Sequence, residues 1–296
     1  MMSKNKLIFL IIFFIAIYYQ FLPFSCKMFY SNFQAFINLS FLKDIICNLS
    51  KDRRNLKKIL LKRYPDKNGS LKGVINKYLY FLININYIEK ANIPVYTMMN
   101  FHLILDLTKH VKSSNKLKGD IVDVGVWKGG SSMIMKYYMN KNKKLYLLDL
   151  FDHMDSKSIS NDTHKNDKIV LEYLNIVSKY FNRPAVKTSI KDVKDNFNRK
   201  GLDLKNVHFL KGNLNDKNFP YNKINKISLL RIDCDFYLPT LNVLKNLYHK
   251  VVKGGIIIFD DFNLPLLGEK QAALDFFNGE DIEFISVSQS AYMIKK

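Results

Sequence analysis

The sequence predicts an α/β fold: a mostly parallel, seven-stranded sheet covered by helices and closed by a C-terminal antiparallel hairpin, preceded by a helical basic extension. Three observations carry this. From about Asp120 onward, short apolar runs alternate with stretches of helical periodicity, the pattern of βαβ units. Several runs are apolar throughout, GIIIF at Gly255–Phe259 among them, as strands buried on both faces are. The last two runs, Ile282–Val287 and Ala291–Ile294, leave no room for a helix between them, so they must pair as a hairpin.

The strands follow in order. Ile121–Val124 is the first, Leu145–Leu148 the second and Val207–Leu210 the third. Ile227–Ile232 and Gly255–Phe259 are the fourth and fifth, before the closing hairpin. Between them the spacing predicts helices over Ser131–Met139, Lys168–Phe181, Ile190–Arg199 and Pro239–Val252. This α/β domain occupies residues 95–296.

Two segments precede it. Residues 1–25 contain the unbroken apolar run LIFLIIFFIAIYY from Leu7 to Tyr19, with Gln20 the one strongly polar residue before Phe24. That length approaches the roughly 20 residues that cross a hydrocarbon core, so a membrane-spanning or signal-anchor segment is expected. No small-x-small cleavage site follows it. Residues 26–94 read as a helical basic extension. In it, KDRRNLKKILLKR (Lys51–Arg63) places Leu56, Ile59 and Leu60 at helical spacing among cations. Such a helix either rests on anionic lipid or packs on the α/β domain.

Composition narrows the function classes. The formal charge of +20 attracts polyanions, but no arginine-rich arm, zinc finger or RNA-recognition signature accompanies it. Specific nucleic-acid binding is therefore not expected, and a solvated lysine-rich surface is. The three cysteines, Cys26, Cys47 and Cys234, are too few and too scattered for a disulfide framework or a zinc site. A reducing compartment fits them.

In a parallel α/β sheet, ligands lie over the carboxyl ends of the strands. After the first strand comes Asp123-Val-Gly125-Val-Trp-Lys-Gly129-Gly130-Ser131. Its spacing is not the G-x-G-x-x-G of a dinucleotide cradle; an acidic glycine-rich turn suits a cofactor with a cationic amino-acid end. Asp149 ends the second strand, where a carboxylate reaches ribose hydroxyls. Gly212 and Asn213 follow the third, where a base is read by backbone and amide groups. Asp233 and Asp235 follow the fourth, and Asp260 and Asp261 the fifth. Four carboxylates gathered at adjacent strand ends repel one another, and a hard divalent cation such as Mg²⁺ with oxygen ligands holds them together.

Taken together, GDIVDVGVWKGGSSM (Gly119–Met133), LLRIDCDFYLPTLNVLKNLYHKVVKGGIIIFDDF (Leu229–Phe262), VKDNFNRKGL, VHFLKGNLNDKNFP and GEKQAALDFF resemble the macrocin O-methyltransferase (TylF-type) family. The resemblance runs from Val95 to Lys296. It implies a Rossmann-like class I methyltransferase sandwich and Mg²⁺-assisted methyl transfer from S-adenosylmethionine to a hydroxyl. The acceptor it implies is a sugar in a glycoconjugate, polysaccharide or glycosylated metabolite. It further implies Asp233, Asp260 and Asp261 as metal ligands, Asp235 as general base, and Asp149 as the ribose ligand. Asp123, Gly125, Gly129 and Ser131 would line the methionine end of the cofactor. Asp123 stands where members often carry Glu, and Leu150 and His153 stand where members carry a small hydroxyl residue and a Gly. Self-association is also implied. Because S-adenosylmethionine is made in the cytosol, a membrane-anchored protein with its catalytic domain facing the cytoplasm is expected. Two other classes remain open: a metal-dependent glycosyltransferase, whose D-x-D motif also binds a cation, and a non-catalytic membrane-anchored scaffold on the same fold.

Overall fold

All five predicted parallel strands and the closing hairpin are present in the computed structural model, which describes residue 51, residues 54–59, 61–62, 96–152, 165–182, 184, 186–264 and 267–296. The expected membrane segment at residues 1–25 and most of the basic extension lie outside the described residues. Of that extension, residues 54–59, 61 and 62 are helical, with Leu56 buried and Ile59 exposed. Among the described residues, no helix is long and apolar enough to cross a membrane.

The elements run α1 (Phe101–Ser114), β1 (Asp120–Val124), α2 (Gly130–Tyr138), β2 (Leu145–Asp149), α3 (Lys165–Phe181) and α4 (Ile190–Arg199). They continue with β3 (Val207–Lys211), β4 (Ile227–Ile232), α5 (Tyr237–Leu247), β5 (Val251–Phe259), α6 (Glu269–Phe276), β6 (Ile285–Val287) and β7 (Ser290–Ile294). The sheet order is β3-β2-β1-β4-β5-β7-β6. β1 to β5 are mutually parallel, while β7 runs antiparallel to both β5 and β6. The order reverses between β1 and β4, so the crevice for a ligand opens there.

Two elements depart from the sequence-based expectation. The helix expected over Pro239–Val252 ends at Leu247, and a 3₁₀ turn over Tyr248–Lys250 leads into β5. Val251 already pairs with Ile227, so the β-branched residues there extend the sheet instead of the helix. The strand expected over Ile282–Val287 is confined to Ile285–Val287, the residues that reach β7.

Alternation along the strands sorts the core onto two faces. Val122, Val124, Leu230, Ile232, Ile257 and Phe259 pack on one face. Ile121, Leu229 and Ile258 pack on the other with α1 and α2, through Leu103, Ile104, Leu107, Met133 and Ile134. Two residues further along each of these latter strands the same face turns polar: Ile121 is followed by Asp123, Leu229 by Arg231 and Ile258 by Asp260. The register places Asp123 beside Arg231, and Arg231 beside Ile258. A charged layer thus replaces the apolar core at the carboxyl end of the sheet.

Candidate active site

Gly125 leaves β1 at φ 80, and a Cβ there would strike the carbonyl oxygen of Asp233 at the end of β4. Only glycine permits so close an approach in that backbone region. The rest of the turn is held by its neighbours. Thr188 Oγ1 donates to the Trp127 carbonyl (2.8 Å), and Asn196 Nδ2, from α4, donates to that of Lys128 (2.9 Å). Trp127 itself sits at φ 45, a conformation that an aromatic residue adopts only when its surroundings impose it.

Asp149, at the end of β2, receives this turn. Its Oδ2 accepts the Val126 and Trp127 N–H groups at 2.7 and 3.0 Å, and its Oδ1 accepts that of Phe151 at 2.7 Å. Burial raises its pKa above the ordinary carboxylate value, and the three backbone donors offset part of that rise. A carboxylate has about four acceptor sites, so one remains for a ligand hydroxyl.

The charged layer is built around Arg231, which is 1% exposed. Its NH1 reaches Asp123 Oδ1 at 3.0 Å; its NH2 reaches Asp233 Oδ2 at 2.6 Å and Asp260 Oδ1 at 2.9 Å. Burial works against its charge, but the three carboxylates outweigh it and hold Arg231 above its ordinary pKa. Asp123 also accepts the hydroxyls of Ser131 (2.8 Å) and Ser132 (2.5 Å). It is fully buried behind the glycine turn, with donors on both of its oxygens.

Asp233, Asp235 and Asp261 bring one carboxylate oxygen each within 4.8 Å of one another. Burial is the largest influence on both Asp233 and Asp261 and pushes each well above its ordinary pKa; Asp235, Asp233 and Asp260 add to the rise at Asp261. Asp235 adopts φ 63, with its carbonyl accepting the Gly268 N–H at 3.0 Å. Just beyond it, the N-terminus of α5 is capped from another element. Asp167 of α3, fully buried, accepts the Tyr237 N–H with both oxygens at 2.9 Å, an acid at the positive end of a helix.

These groups line a cleft with two lobes. One, about 140 Å³, is bordered by Asp149, Asp152, Gly212, Asn213 and Phe236. The other, about 180 Å³, is bordered by Tyr96, Ser131, Val170, Leu174, Asp260 and Asp261. Gly125, Trp127, Asp233 and Asp235 border both. Of the residues singled out from sequence, Gly125, Ser131, Asp149, Gly212, Asn213, Asp233, Asp235, Asp260 and Asp261 therefore meet at one cleft. Asp123 and Gly129 do not border it. Asp123 anchors Arg231, and Gly129, at φ 85, precedes α2 where a Cβ would meet Val193 at 2.9 Å. Asp260 is turned to Arg231, and Asp235 stands among the clustered oxygens instead.

Sequence reasoning passed over Arg231, Asp167 and Glu269, the last of which accepts the Asp261 N–H. The signal for Arg231 was present: a lone cation inside the apolar run ISLLRI needs buried counter-charges. Asp167 carried none, because it meets Tyr237 from a distant element, and Glu269, eight residues beyond Asp261, sits in a helix whose period does not point it at the acidic pair.

The donor chemistry suits the groups the resemblance implied. Three clustered carboxylates offer hard oxygen ligands to a divalent cation. The turn at Gly125, packed against the Asp233 carbonyl with no space for a Cβ, brings backbone to the border of both lobes.

Comparison with known proteins agrees. The model of the family described as macrocin-O-methyltransferase (TylF) matches residues 93–285, more than half of the chain. Mycinamicin III 3''-O-methyltransferase of Micromonospora griseorubida is 29% identical over 180 residues, covering 59% of this chain and 68% of that protein. The 8-demethyl-8-(2,3-dimethoxy-alpha-L-rhamnosyl)-tetracenomycin-C 4'-O-methyltransferase of Streptomyces olivaceus is 28% identical over 148 residues, 49% of this chain and 53% of that protein. The second match thus spans about half of its relative's length. Among solved structures, the O-methyltransferase NovP shares the fold at a TM-score of 0.59 and 23% identity, covering 69% of this chain and 83% of that one.

Proposed function

Because the chain belongs to the macrocin-O-methyltransferase (TylF) family of enzymes, we propose that it transfers a methyl group from S-adenosylmethionine to a sugar hydroxyl, assisted by a divalent cation. The observation that carries this is the meeting of the glycine turn, Asp149 and the clustered carboxylates at one cleft. The rhamnosyl group in the name of the Streptomyces olivaceus relative supports a sugar as the acceptor.

S-adenosylmethionine, when bound, would supply the methyl group, and Asp233 and Asp261, with Asp260 beside them, would hold a Mg²⁺ whose charge would lower the pKa of the acceptor hydroxyl. The protein's own groups do the rest. Asp149 orients the ribose through its remaining acceptor site, and Gly212 and Asn213 border the lobe that takes the base. Gly125 lets the methionine end lie against the backbone, with Ser131 nearby. Asp235, bordering both lobes, takes the proton of the acceptor hydroxyl as the oxygen attacks the methyl carbon. The walls align the two reactants, a large part of the acceleration in a displacement of this kind. The apolar run at residues 7–24 supports attachment to a membrane, and supply of S-adenosylmethionine from the cytosol supports a cytoplasmic catalytic domain; resistance to alkaline extraction would test the attachment.

Isothermal titration of the full chain, held in mild detergent, with S-adenosylhomocysteine tests the cofactor reading. Micromolar binding that Asp149→Ala loses is expected. A folded sample that binds none would refute it.

A further inference from the structure

Glu269 opens α6 and is fully buried. Its Oε2 accepts the Asp261 N–H at 2.7 Å, while Oε1 has no hydrogen-bond partner among the described residues. A buried acceptor left unmet is rare and costly in a native structure, so this half of the carboxylate calls for an explanation. Helix α6 is pressed against the site. A Cβ on the preceding Gly268 would collide with the Tyr237 nitrogen and come within 2.6 Å of Asp167 Oδ1.

We infer that Glu269 is an acidic residue that backs the cation site from outside the three clustered oxygens: one oxygen fixes the Asp261 N–H and the other accepts from a water bound to the ion. The inference rests on the metal-assisted reading above. Three features support it. The charges bearing on Glu269 are those of Asp233, Asp260 and Asp235, which places it electrostatically inside the same cluster. Arg231, the cation of the charged layer, is already engaged by Asp123, Asp233 and Asp260 and leaves Glu269 unmatched. A role confined to stapling the turn would need only Oε2, whereas a cation or its water satisfies Oε1 as well. Groups in this position orient the direct ligands and tune the affinity of the site for its ion.

The test uses Mn²⁺ as probe, followed by loss of the free-ion paramagnetic resonance signal, on the full chain with and without S-adenosylhomocysteine. Glu269→Gln is the deciding variant, since it keeps an oxygen for the Asp261 N–H and replaces the other by an amide donor that repels a cation. Its Mn²⁺ affinity is expected to fall about 10- to 100-fold, with S-adenosylhomocysteine affinity and unfolding midpoint close to the parent's. Glu269→Asp, shorter but still anionic, should recover part of the loss. Mn²⁺ affinity in Glu269→Gln within twofold of the parent would overturn the inference and leave the metal reading standing. A parent that binds S-adenosylhomocysteine but no Mn²⁺ would overturn both.

Discussion

The two lobes of the cleft carry negative charge in different ways. Around Asp149 the compensation comes from the backbone: three N–H groups of the adjoining turns converge on one carboxylate. Around Arg231 it comes from a single side chain that answers three carboxylates, with Asp235, Asp261 and Glu269 crowded beside them. Asp149 itself is therefore met by backbone donors, while Asp233 and Asp235 border both lobes. The second lobe holds more negative charge than its one guanidinium can balance, and its chemistry follows from that surplus. In the proposed reading, the ribose diol belongs to the first lobe and the divalent cation to the second.

The largest expected effect lies at Asp235, one of the two acids that border both lobes. Asp235→Asn keeps shape and removes the base, so kcat should fall about 10²- to 10⁴-fold. S-adenosylhomocysteine affinity should be unchanged. Because Asp235 also stands among the clustered oxygens, the Mg²⁺ dependence of the residual rate separates its two possible duties. A proton acceptor leaves the half-saturating concentration nearly where it was, whereas a direct ligand moves it by the same order as kcat.

Next comes the charged layer itself. Arg231→Met removes the cation that faces the buried Asp123 and Asp260 and the half-buried Asp233, and breaking a buried network from one side costs about 3–5 kcal/mol. Denaturant unfolding should read that loss in the metal-free protein. Arg231→Lys keeps the charge but not the planar fork, and should lose less. Equal loss in both variants would mean that guanidinium geometry, not charge, holds the layer.

The contrast also explains what could be read from the sequence. Strands, their order of appearance and the acids at their ends were legible, because apolar runs and strand-end placement are local properties. The division of labour among those acids was not. Asp123 looks like a cofactor residue in a glycine-rich turn, yet the parallel register sets it opposite Arg231 and buries it. Asp260 and Asp261 read as an equivalent pair, but successive residues point to opposite sides; one turns to Arg231 and the other to Asp233 and Asp235. Glu269 and Asp167 depend on helices packing across the site, contacts that no sequence period encodes.

A smaller effect distinguishes the lobes by pH. Burial holds the folded-state pKa of Asp149 above its unfolded value of 3.8, so the folded protein retains a proton that the unfolded chain releases. Stability then falls as pH rises above about 4 until the folded pKa is passed. Asp149→Asn lacks this titration. As pH rises from about 4 the parent should therefore lose more unfolding free energy than the variant, and parallel curves would contradict the assignment.

The smallest effect concerns the turn that joins the two lobes. Thr188→Val keeps the shape of the side chain and deletes the hydrogen bond to the Trp127 carbonyl. The loss should be about 0.5–1.5 kcal/mol, the scale of one neutral hydrogen bond made by a buried hydroxyl. Its consequence is directional, however. Trp127 is held in a left-handed conformation, with its N–H on Asp149 and its carbonyl on Thr188; releasing one tether loosens the wall that both lobes share. Cofactor affinity should weaken several-fold, while Mn²⁺ affinity, set by carboxylates on β4 and β5, should stay the same. A matching loss of both would mean that the two lobes are mechanically one.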